Sequence, residues 1–75
     1  PDPELFLTAC RKLGTAPEKS VVVEDAPNGV EAAKRGGFRC VAVTNTVPAE
    51  KLKDADLIVS TLADVSLERL RELLA

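Results

Sequence analysis

Apolar residues near the start of the chain recur every three or four positions, which is the spacing of one face of an α-helix. They are Phe6, Ala9, Cys10 and Leu13. Asp2 and Pro3 suit a helix start, because Asp accepts hydrogen bonds from free backbone amides and Pro is preorganised for the first turn. Gly14 suits the left-handed conformation that ends many helices. The pattern predicts a first helix over about residues 3–13.

Three short runs are continuously apolar at their centres and rich in β-branched residues. They are Ser20–Glu24, Phe38–Val43 and Leu57–Val59. Continuous apolarity over so few residues is typical of a strand that is buried on both faces. The first two runs therefore predict strands that are buried on both faces, and the third run predicts a weaker strand.

A helical pattern separates the first two predicted strands. Asn28 is positioned to cap a helix whose apolar side carries Val30 and Ala33. Gly36 and Gly37 would end that helix. A second helix is therefore expected between Asn28 and this glycine pair.

Two further helical segments follow. A short one is predicted around Ala49–Leu52, before the third strand. Ser66 is expected to cap a final helix. One apolar stripe on that helix consists of Leu67, Leu70, Leu73 and Leu74.

Helices that alternate with apolar strands indicate a parallel sheet with right-handed crossovers and helices on both faces. The predicted fold is therefore α/β, a partial Rossmann-like arrangement of three layers around a short parallel sheet of about three strands. Three strands are few for such a sheet, and a flat, Val-rich edge is seldom left unpaired. We expect the chain to be part of a larger domain, or to pair with another segment.

Composition narrows the function classes. A chain of 75 residues allows one domain at most, and 45% hydrophobic with 29% charged residues is typical of a soluble globular protein. Ten basic and twelve acidic residues are scattered without a basic cluster, so nucleic-acid binding is not expected. No apolar run approaches the roughly 18 residues that a membrane helix needs. No membrane partner is expected.

The two cysteines, Cys10 and Cys40, are far apart in a chain without histidine, which fits neither a zinc site nor a CxxC redox pair. We interpret them as small core residues. Unpaired thiols indicate a reducing compartment, so we expect a cytoplasmic protein.

Two carboxylates, Glu24 and Asp25, end the first predicted strand. Ligands of open α/β sheets bind beyond the carboxyl ends of the strands, and adjacent acids at a buried strand end repel each other unless a cation lies between them. Hard oxygen ligands favour magnesium. The alternative is that both acids are solvated and only keep the strand end soluble, and the spacing leaves both interpretations open.

Asn28 and Gly29 follow the acidic pair. Their simplest interpretation is a helix cap and a turn. A second role is to present free helix amides to an anion, which makes Asn28 a candidate substrate contact.

The runs Pro1–Glu4 and Val21–Ala33 together resemble the haloacid dehalogenase-like superfamily. Within it, the sequence is most similar to the β-phosphoglucomutase-like and sugar-phosphate phosphatase branch. The resemblance covers essentially all 75 residues, including the later runs Val41–Thr44 and Ala55–Val59.

This resemblance implies a magnesium-dependent phosphoryl-transfer enzyme, a phosphatase or phosphomutase acting on a small phosphorylated metabolite such as a sugar phosphate. It implies that Glu24 and Asp25 help to hold Mg2+. The family often has Ser where this chain has Ala26, so any hydroxyl contact from that position is absent here.

The resemblance also implies that the other catalytic groups precede Pro1. These are the nucleophilic Asp, the acid/base Asp, a phosphate-binding Ser or Thr, a Lys, and the mobile cap domain. On this interpretation residues 1–75 are the carboxy-terminal portion of a haloacid dehalogenase-like core domain. We expect such a chain to contain no catalytic nucleophile and to be inactive alone.

The sequence leaves two other classes of protein open. A non-catalytic receiver or flavodoxin-like module would bind an anion or a partner along its sheet edge. It would need a phosphoacceptor Asp and a distal Lys on neighbouring strand ends, and neither has a convincing candidate. A small structural or engineered half-Rossmann protein would instead self-associate through its exposed strand edge, and its molecular mass would then depend on concentration.

Overall fold

The computed structural model describes all 75 residues, which form three α-helices and three β-strands. In chain order they are α1 (Glu4–Leu13), β1 (Val21–Glu24), α2 (Pro27–Arg35), β2 (Arg39–Val43), β3 (Leu57–Val59) and α3 (Leu67–Leu74). Single turns of 3-10 helix cover Pro17–Lys19, Ala49–Lys51 and Leu62–Asp64. The predicted order of elements is confirmed.

The three strands form one parallel sheet in the order β1-β2-β3. In this register Glu24 of β1 pairs with Ala42, and Val43 of β2 pairs with Val59. Helical crossovers of this kind place the carboxyl ends of all strands at one edge of the sheet. The predicted α/β class is confirmed.

The hydrophobic core lies between one face of the sheet and the helices α1 and α2. Strand β2 contributes Cys40 and Ala42, which are both fully buried. The other buried members of the core are Cys10, Val30, Ala33, Phe38 and Leu52. The ring of Phe6 meets that of Phe38 edge-on, with centroids 5.9 Å apart, and so fastens α1 to the start of β2.

The opposite face of β2 is also buried. Val41 and Val43 alternate with Cys40 and Ala42, so their side chains point to the other side of the sheet, where they are at most 6% exposed. Arg39 shares their face, and its Nε donates a hydrogen bond of 2.8 Å to the backbone oxygen of Leu73 in α3. Helix α3 therefore lies on this face, which completes three layers.

Strand β1 was predicted to be buried on both faces, but it is more exposed than that. None of its residues is fully buried, and Val23 is 45% exposed. The reason is its place in the sheet, since β1 pairs only with β2. An apolar run records composition and does not distinguish a central strand from an edge strand.

The predicted cap of α2 is wrong. The helix begins at Pro27, Ala26 occupies the capping position, and Asn28 lies inside the first turn. Pro27 is well suited to the first helical position because it has no N–H group to leave unpaired. This moves the helix start ahead of Asn28, whose side chain is exposed.

The ends of the other two helices agree better with prediction. Asp2 accepts a hydrogen bond of 2.9 Å from the backbone N–H of Glu4, and Gly14 ends α1 with a φ of 71°. Ser66 caps α3 as predicted, but Leu67 is 64% exposed and lies outside the packed stripe. No helix in the chain has the length and continuous apolarity that a membrane crossing requires.

An ionic cluster joins α2 to the amino ends of β2 and β3. Oδ2 of Asp56 accepts hydrogen bonds of 2.7 Å from Lys34 Nζ and from the backbone N–H of Cys40. Lys34 also donates to the backbone oxygen of Phe38, over 3.1 Å. Desolvation raises the pKa of Asp56, but the hydrogen bonds and the positive charges of Lys34 and Arg39 outweigh it, so its pKa lies below the ordinary value.

This cluster predicts a pH-dependent stability. The depressed pKa of Asp56 means that its carboxylate stabilises the fold above its unfolded-state pKa of about 3.9, and that this contribution is lost as the pH falls through the folded-state pKa. Asp56→Asn should lower the free energy of unfolding at neutral pH by about 1 kcal/mol, a modest figure because solvent screens the partly exposed pair.

Urea denaturation across the acid range measures this effect, with Asp54→Asn as the control because the exposed Asp54 makes no ion pair. The difference between wild type and Asp56→Asn should narrow in acid. A constant difference, or none at neutral pH, would contradict the assignment.

Candidate functional site

The candidate site lies where β1 and β2 end. Glu24 is the last residue of β1, and Asp25 follows it directly. Because the two strands are parallel neighbours, the loop that leaves β2 begins beside this acidic pair. From that loop, Thr46 donates a hydrogen bond of 3.0 Å through Oγ1 to Oδ2 of Asp25.

The side chain of Glu24 turns back along the start of α2. Its Oε1 accepts hydrogen bonds from the backbone N–H groups of Asp25 and Ala26, at 3.2 and 3.4 Å. The carboxyl group packs against Gly29 in the first turn of α2. A negative charge is favoured here, because the amino end of a helix carries partial positive charge.

Both carboxylates are partly exposed to solvent. Their mutual repulsion is therefore weaker than it would be at a buried strand end. Each is held through one oxygen only, Oε1 of Glu24 and Oδ2 of Asp25. The second oxygen of each carboxylate accepts no hydrogen bond from the protein. These two free oxygens are the electron-pair donors that the site offers to a metal ion.

This donor set fits magnesium in part. Mg2+ is typically bound through one or two carboxylates, with water and substrate phosphate oxygens as the remaining ligands. No group of three or more His, Cys, Asp and Glu side chains comes together in a way that could hold a metal. A cation at Glu24 and Asp25 would therefore depend on water or other oxygen ligands for most of its coordination.

Asn28, the predicted substrate contact, lies one residue into α2 with an exposed side chain that makes no hydrogen bond within the chain. Its role stays a prediction.

Two residues of the site were missed by sequence reasoning. No pattern in the sequence marks Thr46 as a site residue, although the meeting of parallel strand ends could have indicated it. Gly29 was interpreted as a turn residue, whereas it makes room for the carboxyl group of Glu24. No sequence signal identifies such a contact.

The stretch of chain that carries the acidic pair is similar to known proteins. Residues 1–37, which include Glu24 and Asp25, match the family of haloacid dehalogenase-like hydrolases. The chain is 48% identical over 65 residues to validoxylamine A 7'-phosphate phosphatase of Streptomyces hygroscopicus subsp. limoneus, over 87% of this chain and 30% of that protein. It is 39% identical over 72 residues to β-phosphoglucomutase of Bacillus subtilis (strain 168), over 96% and 30% of the respective chains. This chain belongs to the haloacid dehalogenase-like superfamily.

The fold supports the same conclusion. This haloacid dehalogenase-like chain superposes on CbbY from Rhodobacter sphaeroides, solved in complex with xylulose-(1,5)bisphosphate, with a TM-score of 0.84 and 32% identity. The match covers 92% of this chain and 32% of CbbY. The chain therefore spans about a third of the length of each of these three relatives. The resemblance noted from the sequence is confirmed, and its relatives include phosphatases and a phosphomutase.

Neither cysteine of this haloacid dehalogenase-like chain is a candidate nucleophile. Cys10 and Cys40 are both buried and free, which confirms their interpretation as core residues. Burial raises the pKa of the Cys40 thiol to about 11, and the negative charges of Asp56 and Glu24 act in the same direction, while Lys34 partly opposes them.

The Cys40 thiol should therefore be unreactive in the folded chain. With a pKa of about 11, only roughly one thiol in a thousand is ionised at pH 8, and the thiolate is the reactive form. In a Cys10→Ser variant, an aromatic disulfide reagent should label Cys40 slowly in buffer and rapidly in urea. Fast, complete labelling under native conditions would contradict this environment.

Proposed function

We propose that this chain supplies magnesium-binding carboxylates to the phosphoryl-transfer site of a haloacid dehalogenase-like phosphatase or phosphomutase. The observation that carries the proposal is the pair Glu24 and Asp25 at the carboxyl end of β1, each with one free carboxylate oxygen. The relatives support a substrate class of small phosphorylated metabolites such as sugar phosphates, because they include β-phosphoglucomutase and hexitol phosphatase A.

Each residue of the site has a distinct role in this proposal. Mg2+ would neutralise negative charge on the phosphoryl group being transferred. Glu24 and Asp25 would bind it through their free oxygens, while Thr46 fixes the orientation of Asp25. Asn28 is exposed at the start of α2, where its amide can contact a phosphorylated substrate.

A complete site needs an attacking oxygen in addition to charge neutralisation. No third acid joins Glu24 and Asp25. We therefore propose that residues 1–75 are the carboxy-terminal portion of the core domain. The nucleophilic Asp, the acid/base Asp and the Lys would come from the two thirds of the relatives' length that this chain does not match.

This proposal predicts that the isolated chain is inactive and that a chimera containing it is active. The 75 residues alone should hydrolyse no phosphate ester above background in Mg2+ buffer. A chimera in which they replace the matching segment of the Bacillus subtilis β-phosphoglucomutase should be active. Asp25→Asn in the chimera should lower turnover by about a hundredfold or more, because charge stabilisation in the transition state is lost.

Asp54→Asn in the same chimera is the matched control, since Asp54 is an exposed acid that makes no ion pair. Its turnover should be unchanged. Near-normal turnover of Asp25→Asn at saturating Mg2+ would remove Asp25 from the site. Turnover by the purified 75-residue chain, abolished by Asp25→Asn, would show that this chain holds a complete site.

We also propose a reducing location such as the cytoplasm. Its support is that both thiols of the chain are free.

A second candidate function is self-association through the free edge of β1. Its backbone pairs with β2 on one side only, and Val23 is 45% exposed. Unpaired strand edges bind other strands, so we propose that two copies of the isolated chain pair at this edge, or that the chain is only marginally stable.

Sedimentation equilibrium over a range of concentrations tests this proposal. The mean mass should fall on dilution, and Val23→Lys should shift the chain toward the monomer, because a charged residue on a strand edge disfavours pairing. Leu5→Lys is the control, since Leu5 is 80% exposed and belongs to α1, not to the strand whose backbone would pair. A chain that is monomeric at every concentration and melts cooperatively at high temperature would rule the proposal out.

A further inference from the structure

The backbone conformation at Gly29 does not require a glycine. It is the third residue of α2, and the glycines with positive φ are Gly14 and Gly37. In a helix, Ala is more favourable than Gly. The absence of a side chain at Gly29 must therefore have a cause outside the backbone conformation.

That cause is the side chain of Glu24. A Cβ atom placed on Gly29 would lie 2.0 Å from Cδ, 2.2 Å from Oε1 and 2.3 Å from Cγ of Glu24. These separations are far below van der Waals contact, which begins at about 3.5 Å between carbon atoms. The three nearest atoms all belong to this one side chain.

The conflict would be relieved by movement of Glu24 and not of the backbone. Its side chain is flexible, so a methyl group at Gly29 can displace it without disturbing the fold. Because Cγ is among the conflicting atoms, rotating the carboxylate alone is insufficient and the whole side chain must leave. Its hydrogen bonds from the N–H groups of Asp25 and Ala26 would then be lost.

We propose that Gly29 is a positioning residue for magnesium binding. The space left by its missing side chain keeps the Glu24 carboxylate at the amino end of α2, next to Asp25. This inference rests on the proposed function, since it assumes that Glu24 binds the cation. Gly29 itself touches neither metal nor substrate.

The test is a MgCl2 titration of the isotopically labelled 75-residue chain, followed by NMR of its backbone amides. Four chains are compared: wild type, Glu24→Ala, Gly29→Ala and the double variant. Gly29→Ala should weaken Mg2+ affinity about tenfold, as Glu24→Ala does, and the double variant should be no weaker than either. Pro27→Ala, an exposed substitution in the same turn, should change affinity less than twofold.

A second readout needs no metal. In Mg2+-free buffer, the amide resonances of Asp25 and Ala26 should move in Gly29→Ala to the positions that they take in Glu24→Ala. Adding Gly29→Ala to Glu24→Ala should leave them nearly unchanged. Adding Gly29→Ala to the Glu24→Ala chain should also raise the midpoint of urea denaturation. Ala favours the helix more than Gly does, and the truncated residue 24 no longer conflicts with the added methyl group.

The outcomes separate the two proposals. Wild-type Mg2+ affinity in Gly29→Ala together with weakened affinity in Glu24→Ala would overturn the role of Gly29 and leave the proposed function intact. If Glu24→Ala binds Mg2+ as well as wild type does, the metal role of Glu24 fails. The metal-free amide shifts then still decide whether Gly29 positions the carboxylate. Should Gly29→Ala unfold, the double variant must fold, and its failure to do so would contradict the proposal.

Discussion

The parallel pairing of β1 with β2 is the constraint on which the rest of the structure depends. It sets Glu24 opposite Ala42, so the two strands end at the same edge of the sheet. A parallel pair needs a crossover between its strands, and α2 fills that role while covering the core. The same pairing brings Thr46 within 3.0 Å of Asp25, although 21 positions separate them in sequence.

The charged residues at the two ends of the sheet are used differently. At the amino ends, Oδ2 of Asp56 accepts from Lys34 and from the backbone of Cys40, and a second cation, Arg39, lies 4.0 Å from Oδ1. This cluster joins a helix to two strands. At the carboxyl ends, Glu24 and Asp25 each keep one oxygen free. The charge of Asp56 is already balanced by Lys34 and Arg39 and so serves stability, whereas Glu24 and Asp25 form no ion pair and their charge is left to attract a cation.

A few short segments of the chain are enough to orient the two carboxylates of the site. Glu24 is held by the backbone of the turn that follows it and by the open space at Gly29. Asp25 is held by one hydroxyl group from the next loop. Both restraints come from short elements of a small domain.

The sequence by itself determined the order and type of the elements, because continuous apolar runs and helical spacing are local properties of the chain. It also placed Glu24 and Asp25 at a strand end, and Ser66 at a helix cap. Only the tertiary structure, in which β1 and β3 are the two edge strands, decided how much of each strand is exposed, and hence that Val23 is 45% exposed. It alone showed that Thr46 and Gly29 restrain the acidic pair, since these contacts depend on the register of the sheet and on the space between packed elements, which no local pattern encodes.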